Sequence, residues 1–274
     1  MKNILVPIDF SNASHYAGKY AVSLADVFNT KVIFLNVVPS AFIVDDESAH
    51  SRMMAHAKLV EDNKNLVVKE MDTLSKKHFS KIEGFVGEGT TTDVILEMAK
   101  KNDVDLIVMG MKGKGKSNSV FGSTTTAIIR KSSLPVLVIP ENTLYLSIDK
   151  ITIATDFDPE PESERYSLLI EIAKKYNSFI SILNVQKNEM KMTDDEFIGK
   201  MRTYFSFTDS RHSFNTIEDK SVTEGISKFI EENSSDLLAM IAHKHSFFER
   251  MLGKVHTKEM SYETKIPLLV LQSK

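Results

Sequence analysis

Four glycines and three lysines, with several hydroxyl residues, crowd into Val108-Met-Gly-Met-Lys-Gly-Lys-Gly-Lys-Ser-Asn-Ser-Val-Phe-Gly-Ser-Thr124. Glycine lets a main chain approach a ligand closely and adopt positive φ. Successive exposed N–H groups and helix N-termini both attract anions. The chemistry these residues suit is phosphate binding. The stretch leaves an apolar run, Asp105-Leu-Ile-Val-Met109, that reads as a buried strand, and it enters a helix beginning near Ser123.

Part of it, Gly110-Met-Lys-Gly-Lys-Gly-Lys-Ser117, also spells the Walker A pattern G-x4-G-K-[ST]. A P-loop needs its lysine and serine in the first turn of a long helix. Here Asn118-Ser-Val-Phe-Gly122 follows, a turn-prone run that makes a poor first turn. The stretch also follows the fourth strand of its sheet rather than the first. The spelling is therefore read as accidental, with a P-loop NTPase as the competing reading. Lys112, Lys114 and Lys116 could meet a γ-phosphate as point charges, or simply be a solvated loop.

A second set of chemical residues lies near the C-terminus. His243, His245 and His256, with His212 upstream and Asp156, could bind zinc or another transition metal. Their spacing follows no tight metal-binding pattern, so the plainer reading is hydrogen-bonded or exposed histidines in a polar loop.

The elements that must position these residues alternate. Asn3–Phe10, Lys31–Val38, Ile82–Val86, Asp105–Met109 and Leu134–Pro140 read as strands. Ser11 can cap a helix with Tyr16, Ala17, Tyr20, Ala21, Leu24 and Phe28 on one face. Segment 45–78 is helix-compatible, Thr91 or Thr92 can cap a helix, and a further helix spans Ser123–Lys131. This order predicts right-handed βαβ units and a mostly parallel sheet. It then repeats. Asn3–Phe10 aligns with Lys150–Phe157, Leu35-Asn-Val37 with Leu183-Asn-Val185, Asp105–Met109 with Asp236–Met240, and Leu134–Val138 with Ile266–Val270. Tandem duplication follows, with domains at 1–141 and 148–274 and a linker at Glu141–Ile148. Thr193-Asp-Asp-Glu196 is a capping box opening a helix to about Tyr204.

Taken whole, the chain resembles the universal stress protein family in its tandem two-domain form. The resemblance implies two Rossmann-like α/β domains of the adenine nucleotide alpha hydrolase-like type. Each would be a five-stranded mostly parallel sheet with helices on both faces. It also implies a phosphate motif, G-x2-G-x9-G-[ST], after the fourth strand. Gly110, Gly113, Gly122 and Ser123 match it, with eight residues rather than nine between Gly113 and Gly122. By motif position the other contacts are Pro7, Ile8 and Asp9 on strand one and Val37 on strand two. The fifth strands, Val136–Ile139 and Leu268–Leu271, would pair as an intramolecular pseudo-dimer.

The strand-end rule for open parallel sheets agrees with that set. Val37 and Met109 offer apolar surface to an adenine ring, and Asp9 can accept from a ribose hydroxyl or help hold a metal. Main-chain N–H groups of Gly110, Met111, Lys112 and Gly113, and of Gly122, Ser123 and Thr124, take phosphate along with the Ser123 hydroxyl. ATP or another adenine nucleotide is the expected ligand, accompanied by magnesium. No positioned general base is visible near the loop, so any hydrolysis would be slow and incidental. In the second half Gly110 becomes Ile241, Gly113 becomes Lys244, and Gly122-Ser123 becomes Lys254-Val255. Nucleotide is therefore expected in the N-terminal domain alone.

Bulk properties narrow the class. The chain has 274 residues, is 42% hydrophobic and carries a net charge of −3, which suits two ordinary globular domains with no global field for nucleic acid. Absence of cysteine excludes disulfides and thiol chemistry. Met1–Asp9 lacks the apolar core of a signal peptide, and no apolar run approaches ~20 residues, so a cytoplasmic protein off the membrane is expected. The expected role is a nucleotide-dependent stress-response regulator or binding module, with a homo-oligomer and an unnamed protein partner both compatible. A scaffold that binds nothing is the remaining alternative.

Overall fold

A computed structural model describes residues 1–40, 49–76, 78–111, 122–157, 163–186, 193–242 and 265–272. The first half runs β1 (Asn3–Pro7), α1 (Asn12–Phe28), β2 (Lys31–Val38), α2 (Ala49–Ser75), β3 (Ile82–Glu88), α3 (Thr91–Lys101), β4 (Leu106–Met111), α4 (Ser123–Lys131) and β5 (Val136–Pro140). The second half runs β6 (Lys150–Ala154), a 3-10 turn at Ser163–Tyr166, α5 (Ser167–Tyr176), β7 (Phe179–Gln186), α6 (Asp194–Ser206), β8 (His212–Glu218), α7 (Val222–Asn233), β9 (Leu237–Ala242) and β10 (Leu268–Gln272).

The described strands form one ten-stranded sheet in the order β3-β2-β1-β4-β5-β10-β9-β6-β7-β8. Each half has the same internal order, and strand direction is parallel within it. The two halves meet where β5 and β10 pair antiparallel, Leu268 opposite Val138 and Val270 opposite Val136. Inner strands are apolar on both faces because helices cover both. Ile4, Leu5 and Val6 are all fully buried. One core packs β-strand side chains with α1, α2 and α5, and the other with α3, α4 and α7.

Local chemistry sets the helix ends. Ser11 caps α1 by accepting the Ser14 N–H, and Asn29 closes it in the left-handed region at φ 51°. The capping box at α6 is present in full, with Thr193 and Glu196 each accepting from the other's main-chain N–H. At α3 the cap is Thr90 rather than Thr91 or Thr92, and its side chain makes no capping bond.

Duplication is visible in devices as well as in sequence. Left-handed residues recur in pairs, Phe10 with Phe157, Asn29 with Asn177, and Asp103 with Ser234. The Asp105 carboxylate accepts from the N–H groups of Lys2 and Asn3, and the Asp236 carboxylate from those of Asp149 and Lys150. Asn36 Nδ2 donates to the Ile8 carbonyl, and Asn184 Nδ2 to that of Thr155, each at 2.9 Å.

Around the seam, linker residue Tyr145 packs edge-on against Tyr20 of α1 at 4.9 Å, and its hydroxyl bonds that of Tyr176 of α5. Burial pushes all three phenols upward, so they stay neutral. The N-terminal ammonium also pairs with Glu171 at 2.7 Å, but that carboxylate is 45% exposed. Such a pair is worth about 0–1 kcal/mol, against about 1.5–3 kcal/mol for each buried aliphatic of β5 and β10. Apolar packing holds the seam.

Candidate functional site

The strand order reverses between β1 and β4, the place where open parallel sheets leave a crevice at their carboxyl ends. Pairing of β1 with β4 consists of Ile4 opposite Leu106 and Leu5 opposite Ile107. β1 continues against β2 to Pro7 opposite Leu35, and β4 continues against β5 to Met111 opposite Pro140. Pro7, Ile8, Asp9, Val37, Met109, Gly110 and Met111 therefore all sit at one edge, around the point where the two strands part.

Close approach is needed at Gly110, but the chain itself makes it. A Cβ there would lie 2.3 Å from the Ala13 carbonyl oxygen and 2.9 Å from the Ser14 nitrogen, both main-chain atoms of α1. The glycine is thus explained by a helix resting on a strand. The chain reaches that helix through Asp9, whose Oδ1 accepts the Ser11 N–H at 3.1 Å and the Ser11 hydroxyl at 2.5 Å. Asp9 is exposed, so its carboxylate faces the strand-end surface while bracing the cap. Behind it, Ile8 is fixed on both sides of its peptide, donating to Leu35 at 2.8 Å and accepting from Asn36. Sequence reasoning missed Asn36, although the repeated Leu-Asn-Val was its signal.

A different glycine is open. Gly122 is the N-cap of α4 at φ −61°, ψ 157°, a conformation any residue adopts. A Cβ there would meet no atom within 4 Å among the described residues. Helical bonding starts with Thr126 N–H to Gly122 carbonyl at 3.0 Å. The N–H groups of Ser123, Thr124 and Thr125 consequently have no partner inside the helix. No acid stands in the first turn, and Arg130 and Lys131 lie in the last. That polarity leaves the positive end of the helix dipole unopposed by local carboxylates. An anion is the group this arrangement can take.

One expected role changes, that of the Met109 side chain. Ile8, Met109 and Met111 are 5%, 5% and 6% exposed. Their side chains belong to the cores, so Met109 offers no apolar surface to a ring, because alternation along β4 turns it toward α3 and α4. Val37 is half-buried against that same core. Lys112 and Gly113 lie outside the described residues, as do His243, His245 and His256.

His212, grouped in sequence with those histidines and Asp156, is at the wrong end of the sheet. It opposes Ile180 at the start of β7, and Ile180 opposes Ile151 at the start of β6. Asp156 follows the other end of β6, five residues on, or roughly 16 Å away. His212 instead donates from Nδ1 to the Ser210 carbonyl at 2.9 Å and packs against Tyr204 and Phe214. Among the described residues no three His, Asp or Glu side chains gather into a metal site. No described helix is long and apolar enough to cross a membrane.

Comparison with known proteins agrees with this architecture. Residues 1–140 match the family model described as "Universal stress protein family". Universal stress protein MJ0531 of Methanocaldococcus jannaschii is 31% identical over 139 residues, covering 50% of this chain and 81% of that protein. Universal stress protein Sll1654 of Synechocystis is 31% identical over 142 residues, 51% of this chain and 85% of that one. The crystal structure of a universal stress protein from Archaeoglobus fulgidus superposes with a TM-score of 0.73 over 98% of both chains. At 16% identity it shares the fold through both halves. With more than half its length matched by the family model, this chain belongs to the universal stress protein family.

Proposed function

We propose that the first domain, 1–141, binds an adenine nucleotide across the β1–β4 crevice, and that the second, 148–274, does not bind one in the same way. The start of α4 carries the reading: an N-cap glycine whose Cβ would meet no described atom within 4 Å, first-turn N–H groups without a partner inside the helix, and no acid in that turn. Those donors fit a phosphate group by charge and by geometry at a helix N-terminus. Ser123 and Thr124 would hold phosphate through N–H groups and the Ser123 hydroxyl, joined by main chain from Gly110 to Gly113. Asp9 would accept from the ribose hydroxyls, and Val37 with the main chain of Pro7 and Ile8 would border the base. Magnesium would enter with the polyphosphate rather than through a protein cage. In the second domain Ile241, 6% exposed, fills the place that corresponds to Gly110. We read the protein as a nucleotide-dependent stress-response module in which ATP alters a binding surface.

Equilibrium titration of the full chain with labelled ATP tests this. One nucleotide per chain is expected, and Gly122→Val should weaken it about 100-fold, the scale of losing two charge-assisted hydrogen bonds. Absence of saturable binding up to the millimolar range would remove the nucleotide, and two equivalents per chain would remove the asymmetry.

A further inference from the structure

Helix α6 is built inside out. Its inward residues are Gly199 and Thr203, both buried, followed by Phe207 just past its end at 0% exposure. Its large apolar residues point away: Phe197 is 56% exposed, Ile198 43%, Met201 37%, Tyr204 45% and Phe205 65%. Rotation cannot bury them. The capping box fixes the first turn, Thr203 is buried with its hydroxyl on the Gly199 carbonyl, and Phe207 packs on Tyr166 at 4.9 Å. Small inward residues let the helix lie close to the 3-10 turn, while the apolar side chains stay largely exposed, with Tyr204 leaning on His212 and Phe214 of β8.

Their spacing is specific. At 100° per residue the five side chains fall within a sector of about 120°. The exposed apolar residues of α2, the matching helix of the first half, are Met53, Met54, Leu59, Leu66 and Val68, and these scatter around its axis. The α6 stripe is also symmetric about its middle. From Met201 the others stand at −4, −3, +3 and +4. Phe197, Met201 and Phe205 form one i±4 ridge, the kind that interdigitates with a copy of itself in the commonest helix–helix crossing. A self-complementary patch related by a two-fold axis is the requirement for an isologous dimer.

We infer that α6 is a self-association face, on which a second copy of this chain packs its own α6 antiparallel with Met201 near the two-fold axis. Aromatic and aliphatic side chains of this size offer roughly 150–250 Å² each. At the exposures observed, the stripe supplies on the order of 500 Å² of apolar surface per copy. A stable interface needs about 800 Å² per partner including its polar rim, so the stripe provides the apolar centre that such an interface requires. Asp194, Asp195 and Glu196 in the exposed first turn oppose the alternative of an anionic lipid surface.

The test is sedimentation equilibrium of the full chain over a concentration series, beside Met201→Asp, Phe205→Glu and the α2 control Met54→Asp. All three replaced side chains are exposed, and circular dichroism checks that each variant stays folded. The unaltered chain and Met54→Asp should be dimeric, and the two α6 variants should raise the dissociation constant at least about 30-fold, as loss of a central anchor does. Because the chain has no cysteine, Met201→Cys gives a direct readout: mild oxidation should link two copies through that position. A monomeric unaltered chain overturns the inference, as does a dimer indifferent to Met201→Asp or one that does not cross-link at position 201. Binding of a monomeric chain to phosphatidylcholine–phosphatidylserine vesicles, lost in Met201→Asp, would overturn it in favour of a membrane surface.

Discussion

Gly110 on β4 and Ile241 on β9 stand at matching places in the two halves, and the helix that follows the first strand of each half begins differently. Beside Gly110, α1 starts at Asn12, and its second residue, Ala13, lies against the bare glycine. Beside Ile241, a 3-10 turn at Ser163–Tyr166 comes first and α5 begins only at Ser167. The isoleucine side chain occupies core volume where the first half lets one main chain touch another. At the opposite end of the sheet two devices are shared. There Asp105 and Asp236 hold the same strand starts, and Asp103 and Ser234 take the same left-handed turn. At the Gly110 and Ile241 positions the two halves differ in how the first helix meets the sheet.

Exchanging the two residues should break this comparison most severely. Gly110→Ile drives a side chain into the Ala13 carbonyl and should cost more than about 4 kcal/mol, the range of severe core disruption. Ile241→Gly, which opens a cavity and frees the main chain, should cost about 3–5 kcal/mol. Guanidinium unfolding followed by circular dichroism measures both; a tolerated Gly110→Ile would sink the close-packing account. Next come the shared devices. Asp105→Ala and Asp236→Ala each leave two main-chain N–H groups without their acceptor and should cost about 1–3 kcal/mol, equally in the two halves.

A smaller effect separates the halves by pH. Burial alone would raise the Asp26 carboxyl, but hydrogen bonds from Ser80, His78 and the Phe79 and Ser80 N–H groups outweigh it and hold it below the ordinary carboxylate value. A carboxylate depressed in the folded state stabilises above its unfolded value of 3.8 and loses that contribution as pH falls through the folded one. The matching residue of the second half is Lys174, which cannot act this way. Asp26→Asn should therefore lower stability at neutral pH by about 1 kcal/mol and flatten the acid limb below about pH 4. An unchanged acid limb would show that Asp26 is not the group responsible. Smallest of all, Gly122→Ala should lower thermal stability by about 0.5 kcal/mol, the difference between glycine and alanine at an N-cap, since its Cβ would meet no described atom within 4 Å.

Much of the fold could be read before the structure. Lys31–Val38 and Ser123–Lys131 have the boundaries their apolar periodicity predicts, and the four repeated motifs place the second half. These are local or periodic signals. What stayed hidden was set by distant partners. Gly110 reads only as a ligand cradle, and its packing against Ala13, nearly a hundred residues earlier in the chain, has no sequence signal. Met109 reads as a strand-end surface until alternation is fixed by its β5 register. His212 reads as one of a cluster because sequence proximity says nothing about which end of a parallel sheet a residue occupies. The inversion of α6 was also invisible, since an apolar stripe at helical spacing ordinarily points inward.

Joining β5 to β10 within one chain changes how that ladder responds to quantity. Two separate chains meeting at such an edge obey mass action and part on dilution. Here the short connection of residues 141–149 makes closure a first-order event at an effective concentration in the millimolar range. Each chain that folds therefore carries its seam complete, however little of the protein is made. Because each half is encoded separately, a substitution such as Ile241 alters one half and leaves the other untouched, a freedom denied to any dimer of identical chains.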